Sequence, residues 1–182
     1  MATRIRLFYA LWPDDAARSA LARLAGEIAR DTQGRAPRAE NLHVTVAFLG
    51  AIERERIPSL VAIGELVAQS VEPFGLSLER LGGGSYSLCW FAPSSVPPAL
   101  MALHQTLSRA LNAENFTNEQ RMFRPHVTLA RNGVRRTRHG ALPPIRWQVD
   151  SLVLASSTSA AGGSIYVREG EWRLRAHSTG TV

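Results

Sequence analysis

The sequence predicts an α+β fold: a single compact bilobal domain over residues 1–182, with two antiparallel sheet-plus-helix lobes related by a pseudo-twofold and a pair of matched strands lining the central cleft. Three observations carry this. Asn41-Leu42-His43-Val44-Thr45-Val46-Ala47-Phe48-Leu49-Gly50 has an echo, Arg124-Pro125-His126-Val127-Thr128-Leu129-Ala130-Arg131, with 83 positions from one histidine to the other in a chain of 182. Hydrophobic spacing switches between strand and helix periods along the chain, with Gly, Pro and Ser at the joints and no long linker. No Gly-rich fingerprint follows the first strand, which argues against a dinucleotide-binding parallel sheet.

Ile5, Leu7, Tyr9 and Leu11 alternate with Arg6, Phe8, Ala10 and Trp12, a strand apolar on both faces and therefore central. Pro13-Asp14-Asp15 opens a helix, with carboxylates where the helix dipole favours them, and Ala17, Leu21, Leu24 and Ile28 recur at helical spacing before Gly34 stops it. The His43 strand follows and ends at Gly50. A second helix runs from about Pro58 to Val71 on the stripe Leu60, Ile63, Val67 and Val71. Phe74, Leu76 and Leu78 make a strand; Gly82-Gly83-Gly84 turns the chain, and Tyr86 to Phe91 pairs back as its hairpin partner. No Lys-Ser or Lys-Thr follows the three glycines, so they are not a phosphate loop.

Pro97-Pro98 opens a third helix on Leu100, Leu103, Leu107 and Leu111, with His104 as a flanking histidine. After the His126 strand, Gly133 to Gly140 is a basic loop carrying Arg135, Arg136, Arg138 and His139, either a solvated surface or a contact for a nucleic-acid backbone. Ile145 to Leu154 reads as one long strand, Ser156 to Gly163 as a small-residue loop, Ile165-Tyr166-Val167 as a short strand and Trp172 to Ala176 as the last.

Composition narrows the function classes. The apolar runs are too short to span a bilayer, and Met1-Ala2-Thr3-Arg4 leads straight into a strand, so neither a signal peptide nor a membrane partner is expected. Cys89 is the only cysteine and sits in a core-like strand, which suits a reducing cytoplasmic location. The net charge is +6, and all 21 basic residues are arginine. Absence of lysine reflects GC-rich codon usage more than selection, but the positive excess favours an anionic partner such as nucleic acid.

On a strand, His43 and Thr45 point to one side, as do His126 and Thr128. A single His-x-Thr is an ordinary half-exposed strand; its repetition in a matching hydrophobic frame marks a shared site. Imidazole titrates near neutrality, so one copy can accept a proton while the other donates. In-line displacement at phosphorus needs that pair, with the attacking and leaving oxygens on opposite sides and hydroxyl donors for the equatorial oxygens. Zinc is disfavoured: there is no His-x₃-His, no cysteine pair and no carboxylate beside either histidine. A serine hydrolase elbow is missing too, since Gly83-Gly84-Ser85-Tyr86-Ser87 lacks the closing glycine.

His43-Val44-Thr45-Val46 and His126-Val127-Thr128-Leu129 resemble the paired His-x-Thr-x motifs of the two-histidine (2H) phosphoesterase superfamily. Arg4 to Pro13, Leu42 to Gly50 and Phe123 to Arg131 are similar to the bacterial and archaeal RNA 2′,3′-cyclic phosphodiesterases, first known as 2′-5′ RNA ligases. The resemblance implies motif strands lining a cleft and hydrolysis of a 2′,3′-cyclic phosphate on RNA or a nucleotide to a 2′-phosphate, without metal or other cofactor. It also implies possible reversal, joining a cyclic end to a 5′-hydroxyl. By the family pattern His43 is the proton donor and His126 the proton acceptor, with Thr45 and Thr128 on the phosphate. Near-symmetric motifs leave those two roles open on the residues alone.

Two arginines are candidates for the substrate. Arg124 shares its strand parity with His126 and Thr128, while Arg131 falls on the face of Val127 and Leu129 unless a bulge intervenes. Base-stacking candidates are Phe8, Tyr9, Trp12, Phe48 and Trp90. The rivals are a phosphodiesterase for another cyclic phosphate or a 2′-5′ oligonucleotide, and a non-catalytic module that binds RNA ends.

Overall fold

The computed structural model describes residues 3–83, 88–116, 122–137, 139–160 and 163–175. The first strand, β1 (Arg4–Leu11), carries two apolar sets. Ile5, Leu7, Tyr9 and Leu11 enter the main core, whereas Phe8 and Ala10 join Ala155 in a small cluster. A strand that is apolar on both faces thus floors two different spaces.

Helix α1 (Asp15–Thr32) begins where Asp14 accepts the Ala17 N–H at 2.8 Å, which satisfies one of the orphan donors of the first turn. It ends where Gln33 adopts a left-handed φ of 56°. A 3₁₀ turn over Ala39–Asn41 leads into β2 (Val44–Glu53), and a second over Arg54–Arg56 into α2 (Ile57–Gln69). Then come β3 (Phe74–Leu78), β4 (Arg80–Gly82), β5 (Leu88–Ala92) and α3 (Pro98–Ala113). The chain closes with β6 (Val127–Arg131), β7 (Ile145–Val149), β8 (Ser151–Ala160) and β9 (Gly163–Arg173). No helix among the described residues is long and apolar enough to cross a membrane.

Seven strands form one antiparallel sheet in the order β4-β5-β6-β2-β1-β8-β9, and β3 pairs with β7 apart from it. The helices bury the stripes their spacing predicts: Ala17, Leu21, Leu24 and Ile28; Leu60, Ile63 and Val67; and Leu100, Leu103, Leu107 and Leu111. Each fully buried leucine contributes roughly 1.5–3 kcal/mol relative to an exposed one. All three stripes share the main core with Leu7, Tyr9, Val44, Val46, Leu129 and Leu154, so the helices cover one face of the large sheet. The other face holds Phe8, Ala10 and Ala155, packed against Trp12, Phe48 and Tyr166.

Several expectations from the sequence are corrected. Where the two expected lobes meet, the motif strands β2 and β6 are neighbours within one continuous sheet, joined through the pair Val44 and Val127. The partner of β3 is β7, not the strand after the glycines; β5 pairs with the short β4 instead. Glu79 is the corner between β3 and β4, and its N–H reaches the Ala92 carbonyl at 2.9 Å. The apex of the β4–β5 hairpin, with Tyr86, lies outside the described residues. Ile145 to Leu154 breaks at exposed Asp150, because β7 buries alternate residues while β8 is central and buries Leu152 through Ala155 on both faces. Of the expected loop from Ser156 to Gly163, Ser156 to Ala160 continue β8 and Gly163 opens β9, while residues 161 and 162 lie outside the described residues. Ile165 to Val167 and Trp172 belong to one strand, β9, whose Glu169 is an extra residue opposite the Leu154–Ala155 step. Small polar residues can occupy a paired strand as well as a loop, which is why composition misled here.

Candidate active site

In an antiparallel pair the register Val44–Val127 sets His43 beside Thr128 and Thr45 beside His126. The four motif side chains therefore form a crossed set around a local twofold between the strands. Both strands bulge at the same motif position. In β2, Ala10 pairs with Thr45 and Tyr9 with Ala47, which leaves Val46 unopposed. In β6, Trp90 pairs with Thr128 and Cys89 with Ala130, which leaves Leu129 unopposed. Each extra residue inverts the side-chain alternation beyond it. Phe48 and Arg131, three residues after their threonines, consequently turn onto the His-Thr face.

The bulge brings one of the two arginines into the cleft. Arg131 lines the cleft with His43, Thr45, His126 and Thr128. Arg124, which strict parity favours, is exposed and outside the cleft lining; what it supplies is its carbonyl oxygen.

That carbonyl fixes a tautomer. His126 Nδ1 lies 2.8 Å from the Arg124 carbonyl, and His43 Nδ1 lies 2.7 Å from the Asn41 carbonyl. A carbonyl only accepts, so both imidazoles donate from Nδ1–H and keep Nε2 for chemistry. His43 Nε2 is 3.1 Å from Thr45 Oγ1, whose hydroxyl donates to it while the ring is neutral.

The two rings differ in their surroundings. His43 has Trp12 stacked on it at 5.0 Å and 24°, Phe8 at 5.1 Å, and the edge of Tyr166 at 5.3 Å. Burial in this cage pushes its pKa down to about 4; the bond to the Asn41 carbonyl opposes the shift, and the charges of His126 and Arg131 add to it. Among the described residues His126 meets one ring, Trp90, at 6.2 Å and 54°.

The cleft encloses about 530 Å³. Besides Arg131 it is lined by the cations Arg6, Arg35 and Arg38, and by Asn41, Ser157, Ser164 and Tyr166. Arg35 and Arg131 exchange both backbone hydrogen bonds, at 2.8 and 3.0 Å, which fastens the segment after α1 to the motif strand. Asn41 donates its side-chain N–H to the Ser164 carbonyl at 2.8 Å, tying the β8–β9 hairpin to the loop that holds His43.

Of the aromatic candidates, Phe8 and Phe48 line the cleft, and Trp12 backs His43 with its Nε1–H held by the Glu40 carbonyl at 2.8 Å. Tyr9 is core, its hydroxyl bonded to the Leu60 carbonyl. Cys89 is buried, and burial raises its thiol pKa. Sequence reasoning missed Tyr166, Asn41, Ser157, Ser164 and the arginines 6, 35 and 38. For Tyr166 the sequence offered only an aromatic within a short apolar run; that its neighbours Ile165 and Val167 are both exposed is visible only in the structure. Among the described residues no three His, Cys, Asp or Glu side chains cluster as metal ligands.

A model of the 2′-5′ RNA ligase superfamily matches residues 12–160. The chain is 28% identical to an RNA 2′,3′-cyclic phosphodiesterase of Thermus thermophilus, over 94% of this chain and 91% of that one. It is 29% identical to one of Escherichia coli, over 78% and 80%. Among solved structures, E. coli LigT complexed with 3′-AMP superposes with a TM-score of 0.84 at 25% identity, covering 95% of this chain and 99% of that one.

Proposed function

The chain belongs to the 2′-5′ RNA ligase superfamily, and from that membership we propose that it is an RNA 2′,3′-cyclic phosphodiesterase, opening a terminal cyclic phosphate to a 2′-phosphate. The observation that carries this reading is the pair of imidazoles with the same nitrogen free, set on neighbouring strands of one arginine-lined cleft. The curated relatives bear the name of this activity. RNA ends are the partner that the cationic cleft suits, and a reducing cytoplasmic setting suits the single buried thiol.

In the proposed mechanism the phosphate lies between the two Nε2 atoms. His126 Nε2 takes a proton from water, whose oxygen bonds to phosphorus in line with the P–O3′ bond. That bond breaks, and O3′ receives the proton on His43 Nε2, leaving a 2′-phosphate and a 3′-hydroxyl. Thr45, Thr128 and Arg131 donate to the non-bridging oxygens, where charge builds. Each histidine is worth about 10²–10⁴-fold.

In the free protein His43 is neutral near pH 7, since its pKa is held near 4. A proton donor must be charged, and the arriving phosphate anion supplies the reason: it stands against Nε2, and the Trp12 face favours the imidazolium. His43 therefore gains its proton with the substrate.

The test is incubation with a 2′,3′-cyclic nucleotide in the presence of EDTA, with the product isomer identified. Formation of the 2′-phosphate, lost in His43→Ala and His126→Ala, is expected. A wild-type protein that binds RNA ends without turnover overturns catalysis, and abolition of activity by EDTA overturns the mechanism. Preference for a different cyclic phosphate redirects the substrate.

A further inference from the structure

Beyond His126 the open face of the sheet carries a structure that hydrolysis of a cyclic phosphate does not use. Trp90, on β5, is the cross-strand partner of Thr128, and its ring lies 6.2 Å from His126. The indole is half-buried and seated on Gly82 of β4, where a Cβ would fall 2.2 Å from two ring carbons. Only glycine permits that seat. Arg80, two residues earlier on β4 and so on the same face, is exposed, with its guanidinium carbon over the indole ring, 5.3 Å from the centroid. Arg80 also lines a second cleft of about 370 Å³ with Arg135, Arg136 and His139, so positive charge, offset by the one carboxylate of Glu79, continues around the β4 edge. An indole beside guanidinium groups is the surface that takes single-stranded nucleic acid, with a base on the ring and phosphates on the cations.

In-line geometry says which strand would lie there. The leaving O3′ is on the His43 side and the attacking oxygen on the His126 side. In hydrolysis that oxygen belongs to water. In formation of a 2′-5′ linkage it is the 5′ oxygen of a second RNA strand, which must then run outward from His126. We propose that Trp90 and Arg80 form a second nucleotide subsite that holds the strand bearing the 5′-hydroxyl, its base against the indole and its phosphate on Arg80. In the step served, His126 Nε2 takes the 5′-hydroxyl proton and the O5′–P bond forms. The P–O3′ bond breaks, and O3′ takes the proton from His43 Nε2. The reverse step cleaves a 2′-5′ linkage to a cyclic phosphate and a 5′-hydroxyl. The subsite rests on the reading of the cleft given above, with His126 on the side of the attacking oxygen.

The experiment compares kcat/KM for a 2′,3′-cyclic mononucleotide with kcat/KM for a short 2′-5′-linked oligoribonucleotide, in wild type, Trp90→Ala, Arg80→Ala and Arg80→Glu. The ratio of oligonucleotide to mononucleotide should fall about tenfold or more in Trp90→Ala, as for loss of a stacked base. It should fall less in Arg80→Ala and more in Arg80→Glu, with a weaker salt dependence in both. Trp90 packs on Gly82 and its alanine variant can lose the fold, so exposed Arg80 supplies the second arm. There, fluorescence anisotropy reads binding of a labelled oligoribonucleotide that has a 5′-hydroxyl and no cyclic phosphate, and Arg80→Glu should weaken it several-fold. An unmoved ratio, equal losses in both reactions, or a 5′-hydroxyl oligonucleotide that fails to bind wild type overturns the subsite and leaves the hydrolase standing. A wild type inert toward the cyclic mononucleotide overturns the reading of the cleft itself.

Discussion

His104 donates its Nδ1–H to the carbonyl of Val46 at 2.9 Å, and Val46 is the unopposed residue of the β2 bulge next to Thr45. The sequence reads His104 as a helix-flank histidine. In the structure its ring also stacks flat on Phe123, 4.0 Å away and 3° from parallel. A bulge leaves backbone groups without ladder partners, and here a side chain from α3 supplies one. His104→Leu should therefore cost about 1–3 kcal/mol, the penalty for an orphaned buried carbonyl. It should also lower kcat more than it raises KM, because the Val46 bulge turns Phe48 onto the cleft. Denaturant melts and steady-state kinetics check this, and partial recovery of kcat in His104→Asn would separate a hydrogen bond from lost volume.

Stability should fall with acid because of His43. In the folded protein its pKa is about 4, whereas an unfolded histidine titrates near 6.5. Between those values the unfolded chain binds more protons, so stability is fullest above pH 6.5 and declines as the pH drops toward 4. The full shift corresponds to roughly 3 kcal/mol at most. The urea midpoint should be lower at pH 4.5 than at pH 7.5, and His43→Gln, which does not titrate, should show a smaller difference between the two.

Both histidines, both threonines and the antiparallel α+β class were legible in the sequence because the motif repeats within a strand period that sequence displays directly. The three helices were legible for the same reason, since their stripes face one core. What stayed hidden depends on pairing between distant segments. Arg131 reaches the cleft only through the Leu129 bulge, and a bulge is a mismatch with a partner strand that spacing cannot reveal. The break at Asp150 and the partnership of β3 with β7 are likewise facts of tertiary packing. Tyr166, Ser157 and Ser164 lie on a hairpin whose small residues also fit a loop.

Gly34 marks another such dependency. A Cβ there would meet the Arg131 carbonyl oxygen at 2.8 Å and the Gly133 Cα at 3.2 Å, where the segment after α1 crosses β6. Backbone cannot move aside cheaply. Gly34→Ala should destabilise the protein by about 1–3 kcal/mol, as overpacking does. It should also weaken substrate binding more than Gly26→Ala, whose Cβ meets only the flexible Arg30 side chain at 3.7 Å. Thermal melts together with KM for a cyclic nucleotide would expose a difference in either direction.

The stack of Trp12 on His43 makes the sharpest prediction about pH. Burial, His126 and Arg131 all push His43 toward its neutral form, yet the proposed proton donor must be charged when the substrate is bound. An indole face 5.0 Å from the ring favours the imidazolium by about 0.5–2 kcal/mol. At 1.36 kcal/mol per unit, replacing that face with an apolar side chain that keeps the ring buried should lower the pKa of the bound-state acid by roughly half a unit to one and a half. In Trp12→Leu the basic limb of the kcat profile should consequently move to lower pH, so that activity fades sooner as pH rises. Trp12→Phe keeps an aromatic face and should move it less. A packing role alone would lower kcat at every pH and leave the limb in place, so an unmoved limb in Trp12→Leu would show that phosphate, not the indole, charges His43.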